Sequence, residues 1–276
     1  MTKKNLWIIA LMLVFLACNK DDNPLEEPKQ PIDTEEILTE LMAEINAGFE
    51  NVEVELLEWP GELHDNLGEI HKLAYLTRPV ESTPGNLPLI VSLHGGGPTW
   101  WEKSLEERLV VSAEINKKQG YDLAELAGKE LIMLEPNTSA DWKADELDLI
   151  LDYVLENFPE IDKNRVYVTS YSKGGTGTWV WLNKSVDRFT AAAIGGASGG
   201  SVIDDITKLA NLPIWLIVGS DDGPATGTQS MVNQLRAAGN LNVEHTVIEG
   251  GDHKVAGDAY FSSVEMVEWM LGFESN

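Results

Sequence analysis

The residues best equipped for chemistry lie in Val168-Thr-Ser-Tyr-Ser-Lys-Gly-Gly-Thr-Gly-Thr-Trp179. A β-branched apolar run enters a Gly-rich turn with Ser172 at its apex, and a helix-forming stretch follows. Strand, sharp turn and helix in that order push a serine hydroxyl out above a sheet. They also aim the next backbone N–H at whatever the hydroxyl attacks. A serine presented this way is a nucleophile for an ester or amide carbonyl once a base takes its proton. Leu87-Pro-Leu-Ile-Val-Ser-Leu-His-Gly-Gly-Gly97 reads as a buried strand ending in His-Gly-Gly-Gly. Glycines there let backbone N–H groups approach a tetrahedral oxyanion with no side chain in the way. The expected donors are the N–H of Lys173 and that of Gly96 or Gly95. Two further strand ends carry the acid and the base. Pro213-Ile-Trp-Leu-Ile-Val-Gly-Ser-Asp-Asp222 closes on Asp221 and Asp222, and Val243-Glu-His-Thr-Val-Ile-Glu-Gly-Gly-Asp-His253 closes on His253. In such a set Ser172 Oγ attacks, His253 takes its proton and later gives it to the leaving group, and the acid holds the imidazole in the right tautomer.

These groups need strands that end together. Early strands are expected at 52–59 and 69–77, antiparallel to each other. Strands at 89–93, 130–134, 166–170, 190–195, 214–218 and 243–248 then alternate with helices at 105–119, 141–157, 174–183, 228–238 and 258–271. Alternation of this kind predicts a mostly parallel sheet. About 225 residues is an ordinary size for one such domain, placed at 51–276. Between the strands at 190–195 and 214–218 the chain is short, which predicts no large cap domain and a site open to bulky substrates.

Over 69–273 the chain resembles α/β-hydrolases of the dienelactone-hydrolase, feruloyl-esterase and polyhydroxybutyrate-depolymerase type, and the catalytic domain of prolyl oligopeptidases. The stretches that carry the resemblance are Leu93-His-Gly-Gly96, Asp162-Lys-Asn-Arg-Val-Tyr-Val-Thr169, Ser172-Lys-Gly-Gly-Thr-Gly-Thr-Trp179, Asp187-Arg-Phe-Thr-Ala-Ala192 and Gly251-Asp-His253. The resemblance implies an α/β-hydrolase fold: a mostly parallel sheet of about eight strands with helices on both faces. It implies a catalytic set of Ser172, Asp222 and His253, since the family spacing Gly-x-x-Asp counted from Gly219 selects Asp222 over Asp221. Two positions depart from the family pattern. Ser170 replaces a glycine, and Lys173 stands where Met or Gln is more usual. Neither removes a reacting group, because position 173 contributes its backbone N–H.

The other histidines read as structural. His94 opens the Gly-rich loop and is expected to brace it; His64, His71 and His245 lie in or beside strand-like segments. No metal-ligand motif and no phosphate or dinucleotide fingerprint is present, so neither a metal nor a cofactor is expected. Gly195, Gly196, Gly199 and Gly200 read as a loop. Trp100, Trp101 and Trp142 follow strand ends, where this architecture builds its sites. They are candidates for an aromatic wall against a sugar ring or phenolic acyl group. Trp179, Trp181, Trp215 and Trp269 sit within elements and read as packing.

Lys3 and Lys4 precede an apolar run from Leu6 to Ala17, too short for a comfortable membrane span and right for a signal peptide at 1–17. Cys18, the only cysteine, stands where such a signal ends, so no intrachain disulfide can form. Phe15-Leu-Ala-Cys18 resembles a bacterial lipobox, and Asn19-Lys-Asp-Asp22 resembles the export signal of Bacteroidetes surface lipoproteins. The resemblance implies lipidation at Cys18 and anchoring in the outer membrane at the cell surface. A periplasmic or secreted protein is the alternative. Residues 18–33 are Pro- and acid-rich and read as a flexible tether. At 34–50, Ile37, Leu38, Leu41, Met42 and Ile45 recur at helical spacing. An amphipathic helix packed on the domain is expected there, with Thr34 as its N-cap.

The net charge of −25 grows more negative once Lys3 and Lys4 leave with the signal. Such acidity disfavours nucleic acid and anionic membrane surfaces as partners, leaving the lipid anchor as the only membrane attachment. The expected activity is ester hydrolysis through a Ser-His-Asp triad and an acyl-enzyme. The expected substrates are small-molecule or carbohydrate esters, with pendant feruloyl or acetyl groups foremost. The alternatives are a prolyl oligopeptidase-like peptidase and a surface glycan-binding lipoprotein without turnover. Lys173, beside the nucleophile, would draw a substrate carboxylate or simply be solvated.

Overall fold

The computed structural model describes residues 34–47, 51–96 and 130–275. The segment 1–33 with Cys18, the helix expected at 105–119, and Gly97, Trp100 and Trp101 lie outside the described residues. From Thr34 onward the chain forms one compact unit.

Eight strands are described: β1 (Val52–Glu58), β2 (Leu73–Pro79), β3 (Leu87–Leu93), β4 (Ile132–Glu135), β5 (Ile161–Tyr171), β6 (Ala191–Gly195), β7 (Ile214–Gly219) and β8 (Val243–Ile248). They form one sheet in the order β1-β2-β4-β3-β5-β6-β7-β8. β1 with β2 and β2 with β4 are antiparallel; every pairing from β4 through β8 is parallel. The parallel strands are apolar almost throughout because helices cover both of their faces. All seven residues of β3 and all six of β7 are buried. β8, at the edge, buries only Val243 fully.

The helices are α1 (Thr34–Asn46), α2 (Gly61–His64), α3 (Ala144–Asn157), α4 (Lys173–Ser185), α5 (Ala225–Ala237), α6 (His253–Phe261) and α7 (Val264–Leu271). Successive strand residues point to opposite faces, and two cores result. Leu89, Val91, Val168 and Ile194 meet Leu147, Leu151, Trp179 and Val232 of α3, α4 and α5. Ile90, Tyr167, Ala193 and Ile217 meet Ala256, Tyr260, Met266 and Met270 of α6 and α7. Helix α1 packs Leu38 and Met42 on Val54 and Tyr75. Its last residue, Asn46, donates to the Val54 carbonyl and accepts from the Val54 N–H, both at 2.8 Å. That pair of bonds covers part of an otherwise bare sheet edge.

Three of the differences from the expected boundaries have a clear physical cause. β5 begins at Ile161 rather than 166, because Leu87 of β3 pairs with Ile161 before the register shifts around Pro88. Proline has no N–H for the ladder and belongs at such irregularities. β2 starts at Leu73, not 69. Ile70 instead forms an isolated bridge to Thr138, and the His71 N–H donates to the Asn137 carbonyl at 2.7 Å. The helix expected at 258–271 is two helices. Asp252 caps the first by accepting from the Val255 N–H, and Ser263 caps the second by accepting from the Met266 N–H. Between β6 and β7 there are only turns and the short 3-10 segment Ile206–Leu209.

Candidate active site

β5 delivers Ser172 at the sheet's C-terminal edge. Its backbone sits at φ 58°, ψ −118°, and among the described residues it is the only non-glycine with positive φ. A residue held there costs about 1–3 kcal/mol, tolerated only where neighbours over-determine it. The Ser172 N–H donates to the Gly195 carbonyl at the end of β6, at 2.8 Å. Behind it, α4 lies against β3 so closely that a Cβ on Gly174 would stand 1.9 Å from the Leu93 carbonyl oxygen. Glycine at 174 is therefore a packing requirement as well as part of the turn motif. Ser170, in place of the motif's usual glycine, is buried. Its Oγ accepts from Thr178 Oγ1 on α4 at 2.8 Å, so the extra hydroxyl has a partner.

His253 is the first residue of α6, set by the Asp252 cap. Its Nε2 lies 2.8 Å from Ser172 Oγ, and its Nδ1 lies 2.7 Å from Asp222 Oδ2. The carboxylate only accepts, so Nδ1 carries the proton and Nε2 offers its lone pair to the serine hydroxyl. The Asp222 side chain is 5% exposed and that of His253 46%. The Asp222 carboxylate is therefore shielded while the His253 imidazole faces the outside. Asp221 is exposed and turns away, its Oδ1 accepting from Ser220 Oγ at 3.1 Å. Geometry thus separates the two neighbouring acids. Backbone contact ties their loop to that of His253: the Asp221 N–H donates to the Gly251 carbonyl at 3.0 Å. The hydrogen-bonded line Ser172–His253–Asp222 is made by segments that follow β5, β7 and β8 and meet at one sheet edge.

The Gly-rich loop after β3 sits beside Ser172. A Cβ on Gly95 would lie 3.1 Å from Ser172 Cβ and 3.7 Å from its Oγ. His94 anchors this loop. Its Nε2 accepts from the Thr138 N–H at 3.1 Å, so its Nδ1 is the protonated nitrogen that donates to the Gly95 carbonyl at 2.7 Å. Gly96 follows on the same loop.

Trp142 is 4% exposed, its Nε1 donates to the His94 carbonyl at 3.2 Å, and its side chain fills the space beside Gly177. It supports the loop from below rather than walling a substrate, so the expectation for Trp142 is corrected. Lys173 is neither an open cationic contact nor simply solvated. Its ammonium lies 2.5 Å from Asp141 Oδ1. Trp179 and Trp181 are fully buried, and Trp215 packs edge-on against Trp269 with ring centres 5.4 Å apart.

Residues absent from the sequence reading also serve this edge. Thr138 orients His94, and Tyr171 donates to the His253 carbonyl at 2.6 Å. The Asp252 cap was legible, since Asp directly before a helix start is a common N-cap. Among the described residues, no group of three His, Cys, Asp or Glu side chains is placed to hold a metal ion.

No protein-family model and no curated protein matches the sequence. Solved structures do. A thermostable esterase is 20% identical, with 81% of this chain and 63% of that one covered, at a TM-score of 0.56. The S-formylglutathione hydrolase of Staphylococcus aureus is 17% identical, with 80% and 96% covered, at 0.58. A ferulic acid esterase is 16% identical, with 80% and 97% covered, at 0.54. The chain thus spans 63% of the length of the thermostable esterase and nearly all of the other two. Strand order, parallel pairing, helices on both faces and these likenesses make this chain an α/β-hydrolase fold.

Proposed function

We propose that the protein is a serine hydrolase that cleaves carboxylic esters through an acyl-enzyme, with Ser172 as nucleophile, His253 as base and Asp222 as its orienting acid. The observation that carries this reading is the line Ser172 Oγ–His253 Nε2, His253 Nδ1–Asp222 Oδ2 at 2.8 and 2.7 Å, on a serine held at positive φ. Ser172 Oγ bonds to the ester carbonyl carbon as His253 Nε2 takes the hydroxyl proton. The oxyanion is met by the backbone N–H groups of Lys173 and of Gly95 or Gly96. Collapse of the intermediate breaks the bond to the alcohol, which leaves with the proton from His253. Water then repeats the sequence on the acyl-enzyme, releasing the acid and restoring Ser172. Loss of one oxyanion donor typically costs on the order of a hundredfold in rate.

The substrate class we favour is pendant acyl esters of carbohydrates, feruloyl or acetyl. Likeness to a ferulic acid esterase and the short β6–β7 connection, which adds no cap there, support it. The proposed place of work is the outer cell surface, with Cys18 lipidated. The test uses protein lacking residues 1–18, with p-nitrophenyl acetate, methyl ferulate and a fluorophosphonate probe. Wild-type turnover is expected to fall about 10⁴-fold or more in Ser172→Ala, and probe labelling to vanish. Absence of both turnover and labelling in the wild type would instead indicate a surface binding protein.

A further inference from the structure

Tyr171 is the last residue of β5, one position before the nucleophile, so its side chain leaves the opposite face of the sheet. It is 5% exposed and lies directly under the base. Its hydroxyl donates to the His253 carbonyl at 2.6 Å, and its ring centre lies 5.0 Å from the imidazole at 44°. The same ring packs on Tyr260 and Phe261, at 5.4 and 5.3 Å, near the far end of the helix that His253 begins.

The slot around this ring excludes alternatives. A Cβ on Gly195 would stand 2.4 Å from Tyr171 Cδ2. One on Gly196, at φ +60°, would stand 2.8 Å from His253 Cε1 and 2.9 Å from Tyr171 Cζ. The glycines at the end of β6 thus leave room for two rings, one from the nucleophile's strand and one from the base's helix. Burial, with Asp222 and other acids nearby, pushes the Tyr171 phenol far above its ordinary range, so its proton stays available to the His253 carbonyl.

We propose that Tyr171 is a positioning residue for His253, fixing the start of α6 against the end of β5 so that imidazole and nucleophile keep their spacing. This rests on the Ser172–His253–Asp222 reading above. The hydrogen bond sets where the α6 backbone begins, and the ring contact sets the imidazole's height over the sheet. A base displaced by even about 1 Å loses on the order of a hundredfold in rate.

The test compares Tyr171→Phe, which keeps the ring, with Tyr171→Leu, which loses both contacts, each assayed well below its own melting temperature. On p-nitrophenyl acetate, kcat is expected to fall about fivefold in the first and on the order of a hundredfold in the second, with KM nearly constant. The Nδ1 proton of His253, read by proton NMR as a downfield resonance, is expected to shift in Tyr171→Phe and to broaden away in Tyr171→Leu. Wild-type kcat and an unchanged resonance in both variants would overturn the proposal. A purely structural role predicts a lower melting temperature with that resonance unmoved, and this too would overturn it. Ser172→Ala reports on the reading beneath. If it turns over ester like the wild type, the triad assignment fails, and the resonance alone still decides whether Tyr171 holds His253.

Discussion

Glu135 closes β4 at 2% exposure, with both carboxyl oxygens buried and no hydrogen-bond partner among the described residues. Burial pushes its carboxyl well above the usual range. The folded protein therefore binds this proton more tightly than the unfolded chain does. Stability from Glu135 is fully present below the ordinary carboxylate range and is lost as pH rises through the folded value. Glu135→Gln removes the proton and keeps the shape. Its stability relative to the wild type should match near about pH 4 and improve steadily toward about pH 8, read by urea unfolding at several pH values. A gap that stays constant with pH would sink the idea. At this scale the sequence was uneven in what it showed. That Ser172, Asp222 and His253 meet was legible because each follows the end of a parallel strand, and those ends lie side by side. Trp142 was misjudged for the same reason: it also follows a strand end, and only burial shows that its ring is spent on the loop of His94. The pairing of Lys173 with Asp141 joins the start of α4 to the loop before α3, and no spacing rule connects the two.

At the scale of elements, the layer of α3 on α4 depends on one acid. Asp148 accepts from Trp181 Nε1 and Ser185 Oγ, each at 2.8 Å, and pairs with Lys184 at 3.0 Å. Burial alone would push its carboxyl up, yet these hydrogen bonds and the Lys184 charge outweigh it and hold the carboxyl below its ordinary value. The sign is opposite to that of Glu135. Stability from Asp148 is present above the ordinary carboxylate range and is lost as pH falls through the folded value. Asp148→Ala strands the buried Trp181 N–H and should cost about 2 kcal/mol at neutral pH. The gap should narrow in acid, as chemical denaturation at about pH 7 and about pH 4 will read; a wider gap in acid would refute it. Element types were largely legible because continuous apolar strands alternate with amphipathic helices. Boundaries were less so. Asp162 to Arg165 lie before the strand expected at 166–170, yet pairing of Leu87 with Ile161 draws them into β5. Ser262 and Ser263 fall inside the helix expected at 258–271, yet Ser263 caps a new one.

Over the whole molecule, composition sets a term that no single contact reveals. Forty-five acids against twenty bases give a net charge of −25. Self-repulsion of that excess destabilises the compact state and is screened by salt. Local ion pairs act the other way, since salt weakens them: Arg78 with Glu55 and Glu160, and Arg188 with Asp148 and Asp152. Partly exposed pairs of this kind contribute at most about 1 kcal/mol each. The long-range repulsion spans every acid on the surface and should win. Raising NaCl from about 20 mM to about 500 mM should therefore lift the melting temperature of protein lacking residues 1–18 by a few degrees. The rise should level off once the screening length falls to a few ångströms, near about 1 M salt. On the proposed mechanism the same screening should leave the turnover of a neutral ester nearly unchanged, because Ser172, His253 and Asp222 are in direct hydrogen-bonded contact. A melting temperature that falls with salt would mean that the ion pairs, and not the net charge, govern the stability of this domain.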